Sequence, residues 1–473
     1  MKNMTLGNIA KACHGTLIEG NAELEIEDVV TDSRQVREKD LFLAIKGEHV
    51  DGHRFIPQVM KAHAAAVVCE RKPEEESGPC ILVENVLQAL QDMALFYRNT
   101  LKIPLIGVTG SVGKTSSKEF IASVINEKFH VLKTEGNYNN EIGVPLTLLK
   151  IREDHEAAVI EMGINHFGEM RRLGHMVRPD IMVFTNIGDC HLEFLGTRDG
   201  ILRAKTEVFE EMDEASCVII NGDDDKLTGI SEVHGKRPIR FGFSESNDFY
   251  ADHMTAEGLY GSHVRIQIPG DEFEVMVPLP GEHMVRNALA ATAVGIQLGL
   301  SIEEIAAGIS HAKSTGGRSN IIQTEKYTLI DDCYNANPAS MCAAIDLLIQ
   351  ADTRKVAILG DMFELGSNSD LMHAKIGRYA VEKGIDVLIC VGEASLEMAK
   401  EAEEAENGIP GSGKKEIHYY PDKEKMIDEL PELLSRGDTI LIKASHGMEF
   451  QKIVNMLKDG NDEAEVREGF NRK

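Results

Sequence analysis

GVTGSVGKT, residues 107–115, ends in the Gly113-Lys114-Thr115 of a phosphate-binding loop. The usual pattern, G-x-x-x-x-G-K-S/T, requires glycine at position 108. This chain has Val108, and its glycines stand at 107, 110 and 113. An apolar strand, LIGV, precedes the loop, and a helical run, SSKEFIASVI, follows it. That order is a recipe for holding phosphate: N–H groups of the turn face the oxygens, and the helix N-terminus adds partial positive charge. Thr109, Gly110, Ser111, Val112 and Gly113 supply the turn, Lys114 reaches β- and γ-oxygens, and Thr115 offers a hydroxyl to Mg²⁺. Gly110 and Gly113 permit positive φ and close backbone approach. A plain glycine-rich turn is the bland alternative; strand, GKT and helix together favour a nucleotide site. No guanine-reading N/T-K-x-D segment is present, so ATP is favoured over GTP.

Outward from the loop, the chain separates into three blocks. Residues 1–100 mix short β patterns (DLFLAI, AAAVVCE, CILVEN) with helical stretches and close on VLQALQDMALFYRNTL. Residues 101–313 alternate apolar strands with helices: PLIGVTG, AAVIEMG, DIMVFTNIG and SCVIINGDD, then an Ala-rich buried helix in HMVRNALAATAVGIQLGL. Short buried strands between helices predict a parallel α/β sheet covered on both faces. Ser301 is placed to cap the helix SIEEIAAGI. Glycines in STGGRSN mark the next boundary, and residues 314–473 restart the rhythm in YTLIDD, KVAILGD, DVLICVG and DTILIKAS. This block predicts a second open α/β sheet, with its site at the carboxyl ends of the strands. EAEEAENGIPGSGKKE (401–416) reads as a solvated loop or helix tail, and KDGNDEAEVREGFNRK as a frayed end without chemistry.

A length of 473 residues suits two to four domains. Fifty basic against 77 acidic side chains leave −27, which argues against a nucleic-acid partner. Anionic ligands must then be held by local cations and N–H groups. The eight scattered cysteines form no C-x-x-C pair, which fits a reducing cytosol. With no apolar run of membrane length and no leader-like start, we expect a soluble, cytoplasmic protein without a membrane partner.

Magnesium beside phosphate requires hard oxygen ligands. Glu161, ending the strand AAVIE, stands where such an acid belongs, although an acid at a strand end is often only solvated.

GVTGSVGKTSSK, GNYNNEIGVPLTLL (136–149), VIEMG (159–163), TNIGDCHLEFLGT (185–197) and RAKTEVF (203–209) occur in the order and spacing of the Mur ligases. The resemblance continues through GEHMVRNALAA (281–291), GGR (316–318), DDCYNANPAS (331–340), LGDMFELG (359–366) and KASHGM (443–448), so it spans all three blocks. In that family the first loop glycine stands one position early, as here. Mur ligases are ATP-dependent amide ligases of bacterial cell-wall synthesis. The resemblance implies a three-domain α/β architecture: a UDP-substrate domain (1–100), a central P-loop ATPase domain with a parallel sheet (101–313) and a C-terminal Rossmann-like domain (314–473). TDSR, DDCYNANP and LGDMFELG resemble the branch that joins D-Ala-D-Ala to UDP-N-acetylmuramoyl-tripeptide through an acyl phosphate, with ATP and Mg²⁺. The near alternative is another amide ligase of the same fold, such as the branch that adds the third amino acid or folylpolyglutamate synthase; the missing D-N-P-R and the present LGDMFELG argue against these. A scaffold that has lost turnover is disfavoured by its intact set of candidate catalytic residues. A monomer is expected.

The resemblance assigns roles position by position. Lys114 would stabilise the transferring phosphoryl group; Thr115 and Glu161 would hold one Mg²⁺. His191 would hold a second, against the alternative of a polar loop residue. Lys205 would be carbamylated by CO₂ and orient that second ion; alternatively it is a surface lysine paired with Glu207 or Glu210. Asn287, Arg318 and Asp332 would face base, phosphate and ribose, although Asn287 could serve packing and Arg318 be a boundary charge. Tyr334, Asn335 and Asn337 would line the same edge, or form a plain turn. Asn137 and Asn140 are candidates near phosphate or substrate. Ser33, Arg34 and His53 would hold the UDP end, or belong to a charged surface turn. LGDMFELG and KASHGM would bind D-Ala-D-Ala, with His446 where relatives often carry arginine.

Overall fold

The computed structural model describes residues 1–47, 50–72, 78–314, 316–408 and 415–459. Part of the 401–416 segment is helical, within Ser395–Asn407, while 409–414 and the tail from 460 lie outside the described residues.

Three sheets occupy the three blocks. The first has five strands in the order Thr16–Ile18, Cys80–Leu82, Ala66–Cys69, Leu41–Leu43, Val29–Val30. Its pairs are parallel apart from the antiparallel edge Thr16–Ile18. The central sheet has nine strands. Its parallel part runs from Val131–Lys133 through Ala157–Glu161, Leu105–Thr109, Ile181–Phe184, Cys217–Asn221 and Ile239–Gly242 to Phe249–Ala256. Ser262–Ile268 and Asp271–Val277 extend it antiparallel, an extension the strand–helix rhythm does not announce. These strands alternate buried and exposed positions, as a sheet with one solvated face does. The third sheet places five parallel strands beside the antiparallel edge Asn320–Gln323: Thr328–Asp331, Thr439–Lys443, Lys355–Gly360, Val387–Val391 and Glu416–Tyr420.

The sheet pleat explains Val108. Successive side chains point to opposite faces. Val108 is fully buried in the layer containing Phe120, Ile121 and Val285. Gly107 faces the other layer, where a Cβ would lie 2.6 Å from Met182 Sδ and 3.1 Å from Met162 Sδ. Packing therefore demands glycine at 107 and a large apolar side chain at 108.

The first and central blocks share one core. The helix Val86–Arg98 packs its Leu90, Met93 and Tyr97 into a cluster continuous with Val144, Leu148, Leu173 and Met182. Tyr97 Oη donates to Ile151 O at 2.6 Å, and Arg98 Nε to Val177 O at 2.8 Å. The third sheet has its own cores on its two faces. It meets the central block through Leu259, which packs against its cluster, and through a contact between His191 and Glu364. Among the described residues no helix is long and apolar enough to cross a membrane.

Candidate active site

A cavity of about 600 Å³ opens where the carboxyl ends of the central and third sheets face each other. Ser111, Val112, Gly113, Lys114, Thr115, Asn137, Asn140, Glu161, His191 and Asn287 line it from the central block, and Arg318 and Asp332 from the third. One fold junction thus gathers most of the sequence-predicted site.

The loop is fixed by close contacts. Gly110 has φ +149, and a Cβ there would lie 1.9 Å from Thr185 Oγ1. Thr185 Oγ1 donates to Val112 O at 2.6 Å, and Thr109 Oγ1 donates to Met162 O at 2.8 Å. Ser111 N–H and Val112 N–H differ from expectation in being engaged already, with Asn186 O and Oδ1 at 3.0 and 2.9 Å. Gly113, at φ +81, caps the helix Lys114–Ile125, and Lys114 Nζ donates to Gly110 O at 2.9 Å.

Glu161 is 1% exposed, and its two oxygens are separately held. Oε2 accepts from Thr115 Oγ1 and Oε1 from Asn139 Nδ2, each at 2.8 Å. A hydroxyl and a carboxylate beside a phosphate loop are hard oxygen donors that suit Mg²⁺. Sequence reasoning named Asn137 and Asn140 and passed over Asn139. Asn137 is exposed on the cavity wall, and Asn140 Oδ1 accepts from Gly143 N at 2.9 Å, starting the helix Gly143–Leu149.

His191 adopts φ 53, and its Nδ1 lies 2.8 Å from Glu364 Oε2 of the third block. Burial foremost, then Lys114, holds its pKa below the usual histidine value, with Glu364 opposing. Lys205 is 1% exposed, on the helix Arg198–Thr206. It is no surface lysine: Glu207 accepts from Gly168 N at 2.8 Å and Glu210 pairs with Arg171 at 2.9 Å. Burial pushes its pKa down to about 8; Cys190 opposes the shift and Lys114 adds to it.

Beside the loop, Asn287 Oδ1 accepts from Ser117 Oγ at 2.7 Å, tying its helix to the loop helix. The Arg318 guanidinium lies 4.0 Å from the Tyr334 ring centre, and His446, exposed, stands 5.5 Å from that ring. Asp332 accepts from Ser319 N at 2.8 Å and pairs with the buried Lys443 at 2.6 Å. Lys443 also donates to Asn335 O at 2.9 Å. Asn337 caps the helix Pro338–Ile349, accepting from Ser340 N at 2.9 Å, so the turn reading holds for it. Sequence reasoning missed Arg286, which lines the cavity over Phe243 at 4.8 Å with its Nε buried and unpartnered.

Ser33, Arg34 and His53 stand apart from this cavity. Arg34 is exposed and pairs with Asp32 at 2.7 Å; Ser33 beside it is half-buried. His53 departs from its assigned part. Its Nδ1 donates to Asp51 Oδ1 at 2.7 Å and its Nε2 accepts from Glu70 N at 3.1 Å, so neither nitrogen is free for a ligand.

The chain matches three family descriptions in succession. They are "Mur ligase family, catalytic domain" over residues 25–98, "Mur ligase middle domain" over 108–295 and "Mur ligase, glutamate ligase domain" over 317–446. It is 37% identical over 463 residues to the UDP-N-acetylmuramoyl-tripeptide–D-alanyl-D-alanine ligase of Bacillus subtilis (strain 168), covering 97% of this chain and 99% of that protein. It is similar to a crystal structure of MurF from Acinetobacter baumannii, with TM-score 0.86, 32% identity, and 96% and 98% of the two chains covered. The MurF ligase of Thermotoga maritima, solved in complex with ADP, gives TM-score 0.79 at 29% identity, covering 92% of this chain and 97% of that one.

Proposed function

This chain belongs to the Mur ligase family, and on that premise we propose that it joins D-Ala-D-Ala to UDP-N-acetylmuramoyl-tripeptide with cleavage of ATP. The product is a peptidoglycan precursor. The observation that carries the reading is one shared cavity, which sets Lys114, Thr115 and Glu161 opposite Arg318 and Asp332.

The tripeptide carboxylate attacks the γ-phosphate, giving an acyl phosphate and ADP; the dipeptide amine then attacks the acyl carbon and phosphate departs. A carboxylate is a poor electrophile, and two anions must meet, so the protein's work is positioning and charge neutralisation. Lys114 swings from Gly110 O to the transferring phosphoryl group. Arg318, braced on Tyr334, meets phosphate, and Asp332, aligned by Ser319 N and Lys443, accepts from ribose hydroxyls. Thr115 and Glu161 would hold one Mg²⁺, and His191 with carbamylated Lys205 a second. Bound there, Mg²⁺ neutralises the phosphate oxygens. Lys205 suits carbamylation because its amine is buried, low in pKa, and among the described residues makes no hydrogen bond or ion pair. Residues 1–100 hold the UDP end, 101–313 the nucleotide and 314–473 the dipeptide, in a cytoplasmic monomer.

The test is phosphate release from ATP in the presence of UDP-N-acetylmuramoyl-tripeptide, with D-Ala-D-Ala or single amino acids. Turnover that depends on the dipeptide is expected. Turnover that needs a single amino acid and ignores the dipeptide would overturn the reading.

A further inference from the structure

We propose that Glu364 is a positioning residue for His191, so that the second metal site is completed by a side chain from the other domain. The inference rests on the reading of His191 as a metal ligand.

A histidine binds a metal through one ring nitrogen, and the partner of the other nitrogen decides which tautomer is presented. Here that partner is Glu364, with Oε2 2.8 Å from His191 Nδ1. An ionised carboxylate only accepts, so the proton resides on Nδ1 and the Nε2 lone pair is free.

The third block anchors the backbone just before Glu364. Its backbone is left-handed, φ 60, in the connection between the strand Lys355–Gly360 and the short helix Gly366–Asn368. On one side of it, Met362 N donates to the buried His373 Nε2 at 2.9 Å, and His373 Nδ1 donates to Ser369 O at 2.8 Å. Phe363 N donates to Ser445 Oγ at 2.9 Å. His191, also left-handed, is carried by the loop after the strand Ile181–Phe184. Because the two residues belong to different sheets, the contact exists only while the third block is docked. Docking therefore raises affinity for the ion at His191, and the ion by reciprocity favours docking.

A merely superficial contact to the half-exposed Glu364 would leave metal affinity unmoved. The deciding measurement is Mn²⁺ binding to the full chain with ADP in bicarbonate buffer, followed by electron paramagnetic resonance. Two ions are expected for the unaltered protein. Glu364→Ala is expected to weaken only the second, by about 10- to 100-fold. Glu364→Gln is expected to keep most of that affinity, since its amide oxygen accepts the same Nδ1–H. Unchanged binding in Glu364→Ala overturns the inference, and so does an equal loss in both variants. His191→Ala serves as the reference: it should lose the second ion. If it keeps both, the metal reading of His191 fails and the role of Glu364 falls with it. Loss in His191→Ala alone overturns only the role of Glu364.

Discussion

Thr115 Oγ1 donates to Glu161 Oε2 at 2.8 Å, joining the first turn of the loop helix to the end of the neighbouring strand. The bond holds together the two groups proposed as Mg²⁺ ligands before nucleotide arrives. Thr115→Val keeps the shape and removes the hydroxyl. It should lower kcat by about 10²- to 10³-fold and destabilise by about 1–2 kcal/mol, because Glu161 keeps only Asn139. Phosphate release and denaturant unfolding measure the two effects. Wild-type turnover would remove Thr115 from the metal site.

Val108→Gly restores the commoner loop pattern and is expected to harm the protein. It empties a fully buried position and frees the backbone, costing about 2–4 kcal/mol. ATP affinity should not improve. Gly107→Ala, whose Cβ would meet Met182 Sδ at 2.6 Å, should damage both stability and nucleotide binding. Equilibrium unfolding and an ADP titration check this pair.

Lys205 gives a pH signature. Its folded pKa of about 8 lies below the unfolded 10.5, chiefly through burial. The neutral amine that CO₂ requires is populated as pH rises through about 8. A ¹³C carbamate signal should grow over that range and be absent in Lys205→Met. With CO₂ excluded, the stability contributed by the neutral side chain is complete above 10.5 and is lost as pH falls toward about 8. Lys205→Ala should be nearly inactive and partly rescued by a short carboxylic acid; full unrescued activity would exclude Lys205 from the mechanism.

His53→Ala tests whether that ring holds substrate or structure. Its bonds to Asp51 and Glu70 N lie within the first block. The variant should lose about 1–3 kcal/mol of stability while its KM for the UDP substrate stays near wild type. A large KM change with unaltered melting would restore the substrate role.

The parallel strands and the loop were legible because each rests on local pattern: apolar runs, glycines at fixed offsets, a lysine opening a helix. Residues 249–277 were not, since their alternation lacks the buried-strand signature. The contacts around the candidate site join residues distant in sequence. Asn139 meets Glu161 across 22 positions, Lys443 meets Asp332 across 111, and Glu364 meets His191 across 173. None of these pairings is visible until the sheets are assembled. His53 shows the reverse: a motif histidine whose nitrogens the fold has already occupied.

The core common to the first and central sheets makes those two blocks a caliper. The TDSR turn and Lys114 belong to blocks joined by one core, because the helix Val86–Arg98 packs into both sides of it. Under the proposed reaction, an acceptor held by the first block and phosphorylated beside Lys114 would thereby be gauged for length. A peptide one residue short would leave its carboxylate stranded before Lys114, and one residue long would overshoot it.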